Sequence, residues 1–135
     1  MIVRWPGKVE ANSLTRQPAH IIDVMPTCVE LAETDYPATF QSHKILPVDG
    51  KSIVPILQGK IREPHDSLFW ELRNNQAVRQ GKWKLVADRN INRWELYDLE
   101  QDRTETNNLA SKYPERVAQM KADWQKWADK TGVAQ

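Results

Sequence analysis

Hydrophobic and polar positions alternate most regularly between residues 67 and 99, where Trp70, Trp83 and Trp94 are spread through short β-type runs. Alternation with a period of two is typical of strands that bury one side and expose the other. The segment therefore predicts three or four antiparallel strands in one small sheet.

A hairpin is the clearest local feature of this predicted sheet. Gln80 and Gly81 are expected to form its two-residue loop, because Gly81 can adopt the positive φ that a tight turn requires. In that register Val78 faces Trp83, and Leu85 lies on the same side of the sheet. We expect this side to be covered and the opposite side to be solvated.

The C-terminal segment predicts an amphipathic helix that covers the sheet. Pro114 suits the first helical position, Glu115 favours the positive end of the helix dipole, and Gly132 ends the helix. Apolar side chains recur along one face of this helix at Val117, Met120, Trp124 and Trp127.

An N-terminal helix is predicted to begin at Asp23, whose carboxylate can cap the first amide groups, with Pro26 in the first turn. An apolar stripe follows, formed by Met25, Cys28, Val29 and Ala32. Cys28 is therefore expected to be a small core residue. The fold class predicted is α+β, with a small antiparallel β-sheet of about four strands packed by a C-terminal amphipathic helix, and an N-terminal helical segment.

Two regions are expected along the chain, residues 1–66 and residues 67–135. The first region opens with a β-like run at residues 2–5, which lies at the edge of a sheet or has lost its neighbouring strands. An irregular connection is predicted over residues 38–51.

Net charge and composition narrow the classes of function that the chain can have. A net charge of +1 over 135 residues gives no reason to expect nucleic acid or an acidic membrane as a partner. No apolar run approaches the roughly 20 residues of a membrane span, and the single Cys28 excludes an internal disulfide. The tryptophans are the main candidates for core anchors, because each can bury about 150–250 Å².

Candidate chemistry is sparse. His20, His43 and His65 share no local spacing, so we expect them to be solvated or locally bonded rather than metal ligands. The solvated side of the hairpin is basic and is formed by Arg79, Lys82 and Lys84. A solvated surface is the simpler interpretation of this side, and an anion-binding patch is the alternative. Local chemistry alone thus predicts an α+β domain with no catalytic centre of its own.

Six segments carry a resemblance that runs through nearly the whole chain. They are residues 2–7 (IVRWPG), 20–27 (HIIDVMPT), 46–52 (LPVDGKS), 77–85 (AVRQGKWKL), 95–99 (ELYDL) and 107–110 (NNLA). In this order they resemble the C-terminal part of a type I sulfatase, from the arylsulfatase-like branch of the alkaline-phosphatase superfamily. The resemblance implies that the chain is one part of a longer sulfate-ester hydrolase.

The catalytic groups of such an enzyme are implied to lie in that longer parent. In the family, a Cys or Ser in a Cys/Ser-x-Pro-x-Arg motif becomes the formylglycine that acts beside a bound Ca²⁺. Cys28 lacks the Pro and Arg of this motif, so no catalytic residue and no metal ligand carries over. The partner implied for this chain is the N-terminal sulfatase catalytic domain, with a sulfate ester as the parent's substrate and a periplasmic or extracellular location.

The resemblance also implies that the segment after the first strand of the small sheet lies near the substrate entrance. Glu71, Arg73 and Asn75 occupy this segment and are candidates for contact with the substrate periphery. Ordinary hairpin polarity is the alternative. The sequence departs from the family at Arg103, because the family commonly has proline at this position after Asp102. This change is expected to loosen the turn that contains Asp102.

Two functions from different classes remain. The first is a C-terminal sulfatase region, inactive alone, that supports the catalytic domain and shapes the substrate entrance. The alternative is a stand-alone interaction or carbohydrate-binding module derived from a sulfatase tail. Without a catalytic domain, residues 2–5 and 23–32 would expose apolar surface, so self-association of the isolated chain is expected.

Overall fold

The computed structural model describes residues 1–88 and 93–133 of the chain. The chain divides into two compact units, which we call the first unit (Met1–Pro64) and the second unit (His65–Gln135). The predicted division after residue 66 lies close to this boundary.

Short elements separated by irregular segments form the first unit. A 3₁₀ turn at Ile21–Asp23 leads into helix α1 (Val24–Leu31), strands β1 (Thr39–Phe40) and β2 (His43–Lys44) pair as a hairpin, and helix α2 (Val54–Leu57) follows.

The hairpin of β1 and β2 corrects the prediction of an irregular connection over residues 38–51. Its two loop residues, Gln41 and Ser42, have positive φ angles of 48° and 66°. Tight hairpin loops with two positive φ angles normally carry Asn or Gly. The sequence therefore contained no sign of this turn.

Helix α1 forms where predicted, but it turns a different face to the interior. Its predicted apolar stripe is largely exposed, and Cys28, expected in the core, is exposed as well. The side chains that are buried are Asp23 and Thr27. Asp23 precedes the helix as its N-cap residue, yet its carboxylate makes no bond to the first helical amides. The predicted stripe packing and the predicted cap are both wrong, because polar partners within the first unit hold this side of the helix.

Residues 2–5 run without a paired strand in the described part of the chain, and the side chain of Ile2 is 98% exposed. The β-like run therefore forms no strand among the described residues, and both alternatives that the sequence left for it stay predictions.

A single antiparallel sheet and one long helix form the second unit. The strands are β3 (Leu68–Leu72), β4 (Asn75–Gln80), β5 (Trp83–Asp88) and β6 (Arg93–Asp98), in that spatial order, and the helix is α3 (Pro114–Thr131). Pro114 occupies the first turn of α3, and Gly132 ends the helix with a φ of +70°. The α+β prediction is confirmed, with four strands, the C-terminal helix and the N-terminal helix.

The hairpin of β4 and β5 corrects the predicted register. Its loop consists of Gly81 and Lys82, so that Gln80 pairs with Trp83 and Val78 pairs with Leu85. Only Gly81 has a positive φ, of 56°, and a loop of this kind places glycine at its first central position rather than its second. Moving the loop by one residue moves each cross-strand partner by two. The side assignment of Val78, Trp83 and Leu85 is therefore unaffected.

The core of the second unit lies between this side of the sheet and α3. Its buried members come from both elements: Val78, Leu85, Leu96, Met120, Trp124 and Ala128. Aromatic pairs extend it, since Phe69 stacks on Trp127 with ring centroids 5.4 Å apart and Trp94 meets Trp124 edge-on at 6.4 Å. These arrangements are the ones that aromatic quadrupoles favour. The helix stripe predicted from the sequence is thus the stripe that packs.

The opposite side of the sheet is less solvated than predicted. Leu68 and Tyr97 are buried there, whereas Arg79 and Lys84 are half-buried. Lys82 does not belong to this side, because it lies in the hairpin loop. The prediction of a wholly wet, basic side is therefore wrong.

The stability of the second unit should depend on Trp124, which is 3% exposed and whose indole N–H donates to the backbone oxygen of Trp70 at 3.1 Å. We expect Trp124→Ala to lower the free energy of unfolding by about 3–5 kcal/mol. Trp83→Ala should cost less, because the Trp83 ring is only half-buried. The measurement is urea unfolding followed by circular dichroism.

Lys126→Ala, an exposed change on the same helix, is the control and should change stability by about 0.5 kcal/mol or less. A Trp124→Ala variant as stable as this control would contradict the packing of α3 on the sheet.

Candidate functional site

The loop between β3 and β4 carries the residues predicted to lie at the substrate periphery. Leu72 pairs with Asn75, so Arg73 and Asn74 form a two-residue turn with φ angles of 52° and 66°. Asn tolerates this left-handed conformation, but Arg adopts it at a cost. The structure therefore places Arg73 at the apex of a tight, well-defined turn, where its side chain is exposed.

The three predicted site residues are near one another in the chain but do not face the same way. Oε1 of Glu71 accepts a hydrogen bond from the backbone N–H of Asn74 at 2.8 Å, so this carboxylate stabilises the turn. Glu71 also lies on the side of the sheet that α3 covers, whereas Asn75 lies on the other side and is exposed. Arg73 is thus exposed at the apex, Asn75 follows it on the other side of the sheet, and Glu71 has a local structural role.

The basic residues of the hairpin all have hydrogen-bond partners within the second unit, and for the two lysines these partners are carboxylates. Lys84 Nζ lies 2.6 Å from Oε1 of Glu105, and Lys82 Nζ lies 2.7 Å from Oδ2 of Asp98. Nε of Arg79 donates to the backbone oxygen of Gly81 at 3.0 Å. These contacts favour the simpler interpretation of a structural surface over an anion-binding patch.

A buried ion pair that the sequence did not predict organises the first unit. Nη2 of Arg62 lies 2.9 Å from Oδ2 of Asp23, and the two side chains are only 4% and 1% exposed. Arg62 also donates to the backbone oxygens of Pro18 and Lys51, at 2.7 and 2.6 Å. Arg62 lies in a charged segment between exposed residues, and no periodicity there indicated burial.

Backbone amides complete the polar cluster around the Asp23 carboxylate. The N–H of His20 donates to Oδ2 at 2.8 Å, and the N–H of Lys51 donates to Oδ1 at 2.9 Å. Thr27 extends the cluster, since its hydroxyl accepts from the N–H of Ile53 at 3.0 Å. One aspartate thereby fixes three separate segments of the first unit.

Gly50 allows the loop before Lys51 to approach this cluster closely. A Cβ atom at Gly50 would stand 2.0 Å from the backbone oxygen of Ile22 and 2.5 Å from its carbonyl carbon. No side chain fits that space. The Asp-Gly-Lys-Ser segment of the sequence therefore serves backbone packing against the start of α1.

The turn after β6 explains two of the segments that carry the family resemblance. The backbone N–H of Leu109 donates to the oxygen of Leu96 at 2.8 Å, and the N–H of Leu96 donates to Oδ1 of Asn108 at 3.1 Å. The outer edge of β6 is thereby paired with residues 108–109. Covering an edge in this way prevents it from pairing with another chain.

Carboxylates hold the turn after β6, and the hydrogen bonds that they accept shift their pKa values. Oδ2 of Asp102 accepts from the backbone N–H groups of Asn107 and Thr106, both at 2.8 Å, and these bonds lower the pKa of Asp102. The hydrogen bond from Lys82 lowers the pKa of Asp98. Burial, together with the bond to Glu95, raises the pKa of Tyr97 to about 12. Asp98 and Asp102 thus hold the turn after β6.

The described residues contain no group of three or more His, Cys, Asp or Glu side chains that could hold a metal ion. Cys28 has Val29 and Glu30 after it, and not the Pro and Arg that formylglycine formation requires. The side chains within residues 1–88 and 93–133 thus do not fit the Ca²⁺ of a sulfatase centre, and the sequence around Cys28 does not fit its formylglycine. No helix among the described residues has the length and apolar content to cross a membrane.

Comparison with known proteins identifies the class. The family described as N-sulphoglucosamine sulphohydrolase, C-terminal, matches residues 1–130. The matched region includes the whole first unit and, in the second unit, the four-stranded sheet and most of α3. The chain belongs to this family of C-terminal sulfatase domains.

Individual relatives agree with this assignment. A protein of Schizosaccharomyces pombe described as an uncharacterized sulfatase is 30% identical over 98% of this chain and 25% of its own length. The ulvan-active sulfatase of Formosa agariphila is 27% identical over 82% of this chain and 28% of its own length. A solved structure of a putative sulfatase from Bacteroides thetaiotaomicron is 26% identical, covers 82% of this chain and 24% of its own, and superposes with a TM-score of 0.59.

The chain corresponds to only a part of each of these relatives. It spans about a quarter of the length of each of these three proteins. The prediction of a sulfatase C-terminal part is confirmed, and the alternative of an independent module is not favoured.

Breaking the buried ion pair should destabilise the first unit. Arg62→Met leaves the Asp23 carboxylate buried without its cation, and we expect a loss of about 3–5 kcal/mol. Adding Asp23→Asn should recover part of this loss. The measurement is denaturant dependence of amide hydrogen exchange in α1.

Lys51→Met is the matched control, because it removes the cation of an ion pair whose Glu63 carboxylate is 82% exposed. Its cost should be about 1 kcal/mol or less. If Arg62→Met and Lys51→Met lowered the stability of the first unit equally, the role of the buried ion pair would be contradicted.

The acid sensitivity of the second unit should depend on Asp102. Its folded-state pKa is lowered, so its ionised form stabilises the fold above the unfolded-state pKa of about 3.9. This contribution is lost as the pH falls through the folded-state pKa. We expect Asp102→Asn to lower the melting temperature at pH 7, and the difference from the parent chain to shrink towards about pH 2.

Asp66→Asn serves as the control, because Asp66 is exposed and accepts no hydrogen bond from the described residues. Its effect on the melting temperature should be small at every pH. A difference for Asp102→Asn that stays constant with pH would argue against the hydrogen bonds of this carboxylate.

Proposed function

We propose that this chain completes a sulfate-ester hydrolase whose reaction centre lies in polypeptide preceding residue 1. The observation that carries the proposal is the family match over residues 1–130, combined with coverage of about a quarter of the length of the Schizosaccharomyces pombe and Formosa agariphila relatives. The described residues supply no formylglycine motif and no metal cluster. The chemistry of the whole protein then depends on Ca²⁺ and formylglycine held outside this chain.

The role proposed for the chain is to support the catalytic domain and to shape the substrate entrance. Arg73 is the best-placed residue for the second task, because it is exposed and forms no ion pair within residues 1–88 and 93–133. A guanidinium group can bind a sulfate or carboxylate through two parallel hydrogen bonds. Asn75 adds an amide beside it, and Glu71 holds the turn in shape.

A sulfated carbohydrate is the substrate class that we favour for the longer protein. Support comes from relatives named an ulvan-active sulfatase and an N-acetylglucosamine-6-O-sulfatase. For the longer protein we also propose the periplasmic or extracellular location that the resemblance implies.

An independent carbohydrate-binding module is less well supported. The rings of Phe69, Trp94, Trp124 and Trp127 pack in the core of the second unit and are not open to sugars. The family match over residues 1–130 also favours part of a longer sulfatase over a separate module.

The reading frame upstream of residue 1 tests the proposal. We expect it to encode a sulfatase region with a Cys/Ser-x-Pro-x-Arg motif. The 135-residue chain should not hydrolyse an aryl sulfate with or without Ca²⁺, and the longer protein should. Turnover by the short chain comparable to that of the longer protein, or an upstream frame without such a region, would contradict it.

Alanine substitution at the turn should alter substrate preference in the longer protein. We expect Arg73→Ala and Asn75→Ala to lower kcat/KM on a sulfated oligosaccharide by about tenfold, equivalent to about 1.4 kcal/mol, with a much smaller change on a minimal aryl sulfate. Glu71→Ala should have a weaker effect, because its carboxylate acts through the turn.

Arg103→Ala is the matched control, because it removes a cation outside the turn. It should leave kcat/KM unchanged on both substrates. Equal losses on the two substrates for Arg73→Ala would remove the proposed role at the entrance.

A further inference from the structure

An open cavity of about 670 Å³ lies in the second unit beside the first turns of α3. Its lining includes the completely buried Met120 and the half-buried ring of Tyr113, next to polar side chains from α3 and from Gln80. Sites for small molecules typically have a volume of about 300–1,000 Å³ and combine apolar walls with a few polar groups. Gln80 is the last residue of β4, so the cavity is separate from the loop between β3 and β4.

Two cations line this cavity, and neither has a carboxylate partner in the described part of the chain. Each is held over an aromatic ring instead. Nζ of Lys112 lies 5.5 Å from the ring centroid of Tyr113, and Cζ of Arg116 lies 4.9 Å from that of Trp83. A ring face attracts a cation but leaves its N–H donors unused. Both positive charges are therefore placed in advance and available to an anion.

Two side-chain amides add hydrogen-bond acceptors at the same cavity. Nε2 of Gln80 donates to Oδ2 of Asp123 at 2.9 Å and to Oγ of Ser67 at 3.1 Å. Nε2 of Gln119 donates to Oδ1 of Asp123 at 3.0 Å. Because the nitrogens are used in this way, the side-chain oxygens of both glutamines are left to accept from a ligand. Asp123 thus positions two acceptors beside the two cations.

We propose that this cavity binds one sulfated sugar unit. The sulfate group accepts hydrogen bonds from Lys112 and Arg116, and the sugar hydroxyls donate to the oxygens of Gln80 and Gln119. The ligand must therefore carry both an anion and hydroxyl donors, which a sulfated sugar does. The inference rests on the proposed function only in its choice of a sulfated saccharide. It adds a saccharide site to the candidate entrance at Arg73.

Attraction of any anion by charge alone is a poorer account of the cavity. Glu115 also belongs to its lining, and the carboxylate of Glu115 opposes a negative ligand. A net charge of +1 gives the chain no broad positive field. Inorganic sulfate and a DNA oligonucleotide offer negative charge without the hydroxyls of a pyranose, so both serve as comparison ligands.

Nuclear magnetic resonance titration of the ¹⁵N-labelled 135-residue chain tests the site. The ligand is N-acetylglucosamine 6-sulfate, chosen because one relative is named an N-acetylglucosamine-6-O-sulfatase. We expect the side-chain amide signals of Gln80 and Gln119 to shift on binding. N-acetylglucosamine without sulfate, inorganic sulfate and a thymidine oligonucleotide should each bind about tenfold more weakly or less.

Charge substitutions identify the cations that bind the sulfate group. Lys112→Gln should weaken binding of the sulfated sugar by about tenfold. Lys121→Gln is the matched control, because Nζ of Lys121 also lies over a ring, 5.7 Å from the centroid of Trp94, but outside the cavity lining. It should leave the affinity unchanged. Glu115→Gln should strengthen binding by about twofold, because it removes the opposing charge.

A further variant tests the contact to the sugar hydroxyls. Gln119→Leu should weaken binding of N-acetylglucosamine 6-sulfate by about fivefold and leave the weaker binding of inorganic sulfate unchanged. Lys112, Glu115, Gln119 and Lys121 are exposed, so each variant should fold as the parent chain does. Equal melting temperatures check this expectation.

Several results would overturn the site. They are the absence of cavity shifts with the sulfated sugar, equal loss of affinity for Lys112→Gln and Lys121→Gln, and affinity for inorganic sulfate or the oligonucleotide equal to that for the sulfated sugar. An active longer sulfatase whose 135-residue chain fails to bind would leave the proposed function intact. Binding by a chain whose upstream frame encodes no sulfatase region would support the site and remove the proposed function.

Discussion

The carboxylate of Asp23 and the guanidinium of Arg62 meet 2.9 Å apart in the interior of the first unit, almost entirely screened from water. A buried ion pair adds little net stability, but it becomes costly to separate once it has formed. Here it also connects the start of α1 to the backbone of Lys51 and Pro18. The orientation of α1, and with it the apolar surface of the first unit, depends on this one contact.

The second unit is built on a different principle. Its sheet and its long helix enclose a continuous apolar core around Leu85, Leu96 and Met120, each completely buried. Its polar turn after β6 uses Asn108 to pair the sheet edge and Asp102 to hold the backbone. One unit thus has a self-sufficient core, whereas the other has a polar centre and an apolar surface, which fits a C-terminal domain that is completed by a larger protein.

The sequence was informative where burial follows periodicity. The stripe of α3 and the alternation of β5 were predicted correctly because apolar side chains in both cases face the interior. The same logic failed for Cys28, since the apolar side of α1 faces outward, and it missed Arg62, whose burial depends on a partner distant in the chain. The register error at Gly81 arose because either of two adjacent loops satisfies the alternation. The substrate-periphery role of Arg73 stays a prediction.

Backbone hydrogen exchange tests most directly whether the first unit needs the preceding polypeptide. The account predicts that the amides of α1 exchange about tenfold or more faster in the 135-residue chain than in the longer protein. The amides of Val78 and Leu85, in the core of the second unit, should be equally protected in both. Equal protection of α1 in the two proteins would contradict the account, because the first unit would then be complete on its own.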